Sequence, residues 1–151
     1  MTVSFVGHAS INSSVKLRDE IKRRICNSIN SGFKTFYIGG YGDFDNLCAI
    51  ACRELKREYK EIEVIYVMPY ITLSEQAKAR EMKEYGLCDF FLYPPIEGTP
   101  PRFALSKRNE WMVTNSDLII AYVNRSYGGA YKSLLAARRK HKQIINIYEL
   151  I

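Results

Sequence analysis

The stretch "GGYGDFD", residues 39–45, sets two carboxylates directly behind three glycines, and "YGGAY", residues 127–131, repeats a glycine pair without an acid. Glycine leaves the backbone bare, so Gly39, Gly40, Gly42, Gly128 and Gly129 can bring amide hydrogens against a phosphate where each run opens a helix. Asp43 and Asp45 can hold ribose hydroxyls or cap the helix behind them. The competing explanation for either run is a tight turn that requires positive φ. Neither run continues into the Gly-Lys-Ser/Thr of a Walker A loop or has the Gly-x-Gly-x-x-Gly spacing, which disfavours an ATPase or a conventional NAD dehydrogenase.

Two further segments carry suitable groups. "GHAS", residues 7–10, offers Gly7 and His8, and the imidazole either contacts a ligand or hydrogen-bonds the neighbouring turn. "PPRFALSKRNEWM", residues 100–112, offers Arg102, Arg108 and Trp111. Arg108 and Trp111 stand three apart and share a helix face, which suits a guanidinium for phosphate and a flat ring for a base. The alternative is a core tryptophan beside solvated cations.

These residues need a scaffold that gathers them. Apolar or alternating segments at 3–6, 35–38, 63–68, 89–93, 118–123 and 144–148 read as strands. Between them, helical patterns run approximately over 15–31, 44–60, 74–85, 103–115 and 130–141. Alternating strands and helices imply a three-layer α/β sandwich, with a mainly parallel sheet of about six strands and helices on both faces. Gly32 and Gly86 suit helix ends, and "YPPIEGTPPR", residues 93–102, holds four of the five prolines and reads as a rigid loop. In such a sheet the ligand crevice lies beyond the carboxyl ends of the strands, where all the glycine-rich segments fall.

The chain of 151 residues fits one domain. Its net charge of +6 favours anionic partners, although much of it lies on helix faces such as "KLRDEIKRR" and "ARRKHK". Cys26, Cys48, Cys52 and Cys88 form no Cys-x-x-Cys pair and no finger-like spacing with His8 or His141, so they read as reduced thiols without a structural metal. No apolar run approaches the roughly 18 residues of a membrane span, and the start lacks signal-peptide character, so a cytosolic protein is expected.

In order, "SFVGH", "GGYGDFD", "YPPIEGTPPRFALSKRNEWM", "SDLIIAYV" and "YGGAYKSLLAARRKHKQIINI" resemble the SLOG superfamily, in a bacterial branch of standalone proteins. The resemblance implies a Rossmann-like fold and a nucleotide-like ligand over the glycine loops. Its LOG members are phosphoribohydrolases whose Pro-Gly-Gly-x-Gly-Thr-x-x-Glu motif supplies a glutamate for N-glycosidic cleavage, and its DprA-type members bind single-stranded DNA. Here Lys132 and Ser133 stand near where that acid is expected, while Arg108 matches an arginine before the strand. Asp43 and Asp45 are the first substitutes for the missing acid, ahead of Glu97 and Glu110. The reading is a binder of a nucleotide or nucleotide-derived molecule, with no further cofactor. Its alternatives are a nucleoside-monophosphate N-glycosidase and a single-stranded nucleic-acid binder. Self-association is expected from the tyrosine-rich composition and from the resemblance.

Overall fold

A computed structural model describes residues 1–151. Six strands, β1 (Thr2–Gly7), β2 (Thr35–Ile38), β3 (Glu63–Val67), β4 (Phe90–Leu92), β5 (Leu118–Tyr122) and β6 (Gln143–Asn146), alternate with five α-helices. The helices are α1 (Val15–Asn30), α2 (Asp43–Leu55), α3 (Leu73–Glu84), α4 (Pro101–Thr114) and α5 (Gly129–Arg139). Every strand pairing is parallel, in the order β4-β3-β2-β1-β5-β6. The chain winds outward from β1 to β4, crosses back to β5, and continues to β6. Right-handed crossovers therefore set α1 to α3 on one face and α4 with α5 on the other.

Both faces are apolar in the residues that meet helices. Phe36, Ile38, Val64 and Tyr66 join Leu17, Ile21, Ile25, Phe44 and Cys48 in a large core beneath α1 and α2. A smaller core, built on Val6, Ile119, Ala121, Val113 and Leu134, lies beneath α4 and α5. The four cysteines are free, three of them buried.

Local chemistry accounts for most boundaries. Ser14 caps α1 by accepting from the Leu17 amide at 3.0 Å, and Thr72 caps α3 by accepting from the Glu75 amide at 3.2 Å. Gly32 and Gly86, at φ of 99° and 73°, sit just past α1 and α3 as their positions suggest. Three expectations need correction. The proline-rich loop ends at Pro100, because Pro101 occupies the first turn of α4, where a missing amide hydrogen costs nothing, and Arg102 is helical with it. Neither Asp43 nor Asp45 caps α2, whose cap is Gly42, with both aspartates inside the first turn. The last strand stops at Asn146, and Ile147–Leu150 form a 3₁₀ turn that buries Ile147.

Candidate functional site

The strand order reverses direction between β1 and β5, and a cavity of about 920 Å³ opens over the carboxyl end of β1 and runs between α4 and α5. Such a switch point leaves room because the connections on either side diverge. Gly7 and His8 reach it from β1, Gly39 and Asp45 from the β2 end, Arg102 and Arg108 from α4, and Gly128 and Gly129 from α5.

The first glycine run is shaped from within the protein. A Cβ on Gly40 would stand 2.5 Å from the Tyr66 ring, and one on Gly42 2.5 Å from the Ala9 backbone; both residues have positive φ. The bare backbone there admits neighbours of the same chain, and neither Gly40 nor Gly42 lines the cavity. The turn's polar groups are likewise engaged. Arg108 donates to the Gly39 carbonyl at 2.8 Å and to the Val67 carbonyl at 2.6 Å. Lys78 donates to the Gly40 carbonyl at 2.7 Å, and Asp45 accepts from the Tyr41 amide at 3.2 Å. Beneath them Glu75 accepts hydrogen bonds from Tyr41, at 2.7 Å, and from the buried Tyr66. Lys78 also lies over the Tyr41 ring, 3.5 Å from its centroid.

Arg108 is 2% exposed, so its guanidinium acts first as a clasp joining α4 to the ends of β2 and β3. Burial pushes the Asp45 carboxyl up to about 6, against the opposing pull of Arg108, the Tyr41 amide and Lys78. Asp43 turns elsewhere and accepts from the Ile11 amide at 3.1 Å. Trp111 packs against Tyr37 with ring centroids 5.4 Å apart and does not line the cavity, so it offers no platform for a base there. Glu97 lies outside the cavity and Glu110 lines it.

The second glycine run is different. Cβ atoms on Gly128 or Gly129 would meet nothing within 4 Å. Helix α5 begins there with no side-chain cap and no acid in its first turn, whereas α2 carries Asp43 and Asp45 in its own. The first amides of α5 have no acceptor within the helix, and Gly128, Gly129 and Ala130 line the cavity. An anion is therefore favoured at α5 and opposed at α2.

The cavity wall carries Arg102, Arg108, Arg125, Lys132, Arg139 and Lys140 against Asp45 and Glu110. His8 is buried on this wall and accepts from the Asn124 amide at 3.1 Å through Nε2, so it both lines the cavity and secures the loop after β5. Burial, with the Arg125 charge nearby, holds its pKa below the ordinary histidine value. Arg125 has no signal in the sequence reading, and Arg139 and Lys140, in "ARRKHK", read there as solvated helix-face charges. Lys132 and Ser133 line the cavity where the LOG pattern expects its acid.

A family model described as the YspA SLOG family matches residues 9–150. No curated protein matches the chain. Among solved structures, DNA processing protein A (DprA) from Streptococcus pneumoniae aligns with a TM-score of 0.67 at 14% identity, over 95% of this chain and 48% of that one. DNA processing protein A from Helicobacter pylori, described for its single-stranded DNA binding mode, aligns with a TM-score of 0.66 at 15% identity, over 95% of this chain and 63% of that one. The structure of TM1055 aligns with a TM-score of 0.61 at 16% identity, over 95% of this chain and 71% of that one. The chain thus spans about half the length of the pneumococcal protein, and at these identities the likeness is one of fold.

Proposed function

This chain belongs to the YspA SLOG family, and from that premise we propose that it binds a nucleotide or nucleotide-derived small molecule in the cavity between α4 and α5. The observation that carries the reading is the start of α5, where uncapped amides beside two side-chain-free residues open onto a wall of six cations and two carboxylates. A phosphate takes the α5 amides, with Arg125 and Lys132 within the same wall, and Arg102 approaches from α4. Gly39 lines the cavity floor, where its carbonyl accepts from Arg108. A cavity of about 920 Å³ accommodates a ligand larger than one phosphate.

Calorimetry with nucleoside monophosphates, ADP-ribose and cyclic dinucleotides tests this. Gly129 has no strained φ and free space at its Cβ, so Gly129→Val preserves the fold while crowding the amides. The expected result is saturable binding to the wild-type protein and a loss of about tenfold or more in the variant, with unchanged circular dichroism. No binding of any of these ligands to folded wild-type protein overturns the proposal.

A second reading, single-stranded nucleic acid, is supported by the spread of the cations. Lys132 and Arg139 both line the cavity, and seven residues along α5 separate them by about 10 Å, more than one phosphate spans. A hydrolytic reading rests on Asp45, the cavity carboxyl that holds its proton to about pH 6.

A further inference from the structure

Gly39 differs from the two glycines that follow it. Its φ lies outside the left-handed region, so its conformation alone does not call for glycine. A Cβ there would stand 2.7 Å from Asp45 Oδ2 and 3.2 Å from Arg108 Nη2. Carboxylate and guanidinium thus face each other across the space that a side chain at position 39 would fill, and all three residues line the cavity. The two charged groups form no ion pair with each other. At Gly40 and Gly42 the protein fills the bare space with Tyr66 and Ala9; at Gly39 it leaves a polar notch.

Both walls of the notch keep unused hydrogen-bonding capacity. Arg108 directs Nε to the Asn109 side chain at 2.9 Å and Nη1 to the Gly39 and Val67 carbonyls, while Nη2 makes no bond. Asp45 accepts the Tyr41 amide on Oδ2 and makes no bond through Oδ1. Neither atom is sealed in protein, because the fully enclosed side-chain nitrogen without a partner is Nε of Arg24. Arg108 is only 2% exposed, so its two unpaired Nη2 hydrogens open onto the cavity rather than onto bulk solvent. A buried guanidinium with an idle nitrogen on a cavity wall marks a place where a ligand accepts.

We propose that the notch over Gly39 is a base subsite, in which Arg108 Nη2 donates to, and Asp45 Oδ1 accepts from, neighbouring atoms on the hydrogen-bonding edge of a nucleobase. This rests on the reading that a nucleotide-like molecule occupies the cavity with its phosphate at the start of α5. A second phosphate is opposed in the notch, where the Asp45 carboxylate would face its oxygens. The sugar falls short of it. β2 and β5, the strands that lead to Gly39 and to α5, stand about 10 Å apart with β1 between them. The ribose of a nucleotide hangs on its phosphate by one methylene, whereas the far edge of the base reaches across such a gap. Nucleobases carry acceptors and donors side by side on their Watson–Crick edges, as a guanidinium beside a carboxylate requires. Asp45 therefore reads the base and not the ribose.

Calorimetry of the full chain with the four nucleoside monophosphates and with ribose 5-phosphate, which has the same phosphate and sugar without a base, tests the assignment. The expected result is that the best nucleotide binds the wild-type protein about tenfold or more tightly than ribose 5-phosphate. Gly39→Ala fills the notch and removes that preference. Because the added methyl crowds Asp45, Asp45→Asn is measured beside it, with circular dichroism confirming that both variants are folded. The asparagine keeps the shape and the acceptor for the Tyr41 amide, and turns an NH2 group to the notch where an acceptor stood; it lowers the preference for the best nucleotide over ribose 5-phosphate by about tenfold. Ribose 5-phosphate binding as tightly as every nucleotide, or Asp45→Asn retaining the wild-type preference, overturns the subsite. Nucleotide binding that Gly129→Val abolishes and Asp45→Asn leaves alone overturns the subsite and spares the phosphate site at α5, whereas folded wild-type protein that binds no nucleotide overturns both.

Discussion

Asp45 is the residue whose chemistry the structure changes most. In sequence it is one of two equivalent acids behind a glycine run; in the fold it faces the cavity while Asp43 holds the Ile11 amide. Its carboxyl is raised from 3.8 to about 6. A raised carboxyl favours the folded state while protonated, so this contribution is complete below the ordinary value and lost as pH rises through about 6. Asp45→Asn removes that dependence, and wild-type stability should fall relative to the variant by up to about 3 kcal/mol between about pH 4 and about pH 7. Urea unfolding of both proteins across that range measures it, and parallel pH profiles would show that Asp45 does not titrate as described. The acid at position 45 was legible from its spacing to the glycines. Its burial was not, because Arg108 and Lys78, the charges around it, arrive from helices far along the chain.

At the scale of elements, α4 is a clasp. Arg108 crosses to the carbonyls of Gly39 and Val67, ending β2 and β3 with one guanidinium. Arg108→Met keeps the apolar stem and removes the donors, leaving buried carbonyls that cost about 1–3 kcal/mol each. The variant should unfold at lower urea with the loop at residues 39–42 exchanging its amides faster, and unchanged exchange there would deny the clasp. Helix ends with a local signal, such as Ser14, Thr72, Gly32 and Gly86, were legible in the sequence. The network of Tyr41, Tyr66 and Glu75 was not, since its members come from a loop, a strand and a helix that no spacing rule connects. Trp111 shows the same limit: its helix face was readable, but whether that face met ligand or Tyr37 depended on the order of strands.

For the whole molecule, alternation of strand and helix made the parallel sheet legible, while the order of its strands depends on where the chain turns back after β4. Net charge alone could not separate the two anionic ligands either. Ionic strength separates them: single-stranded DNA contacting four or five cavity cations should lose affinity with a log–log slope of about −3, and a flat response would exclude that electrostatic mode. The same strand order governs how the protein comes into being. Val3 pairs with Leu118, so the central strand is synthesised first yet must wait for most of the chain before its second edge is filled. Contacts of such long range make folding slow. On the ribosome, the unfinished sheet therefore presents the open flank of β1, the edge that later borders the cavity, to chaperones or to neighbouring nascent chains until β5 emerges.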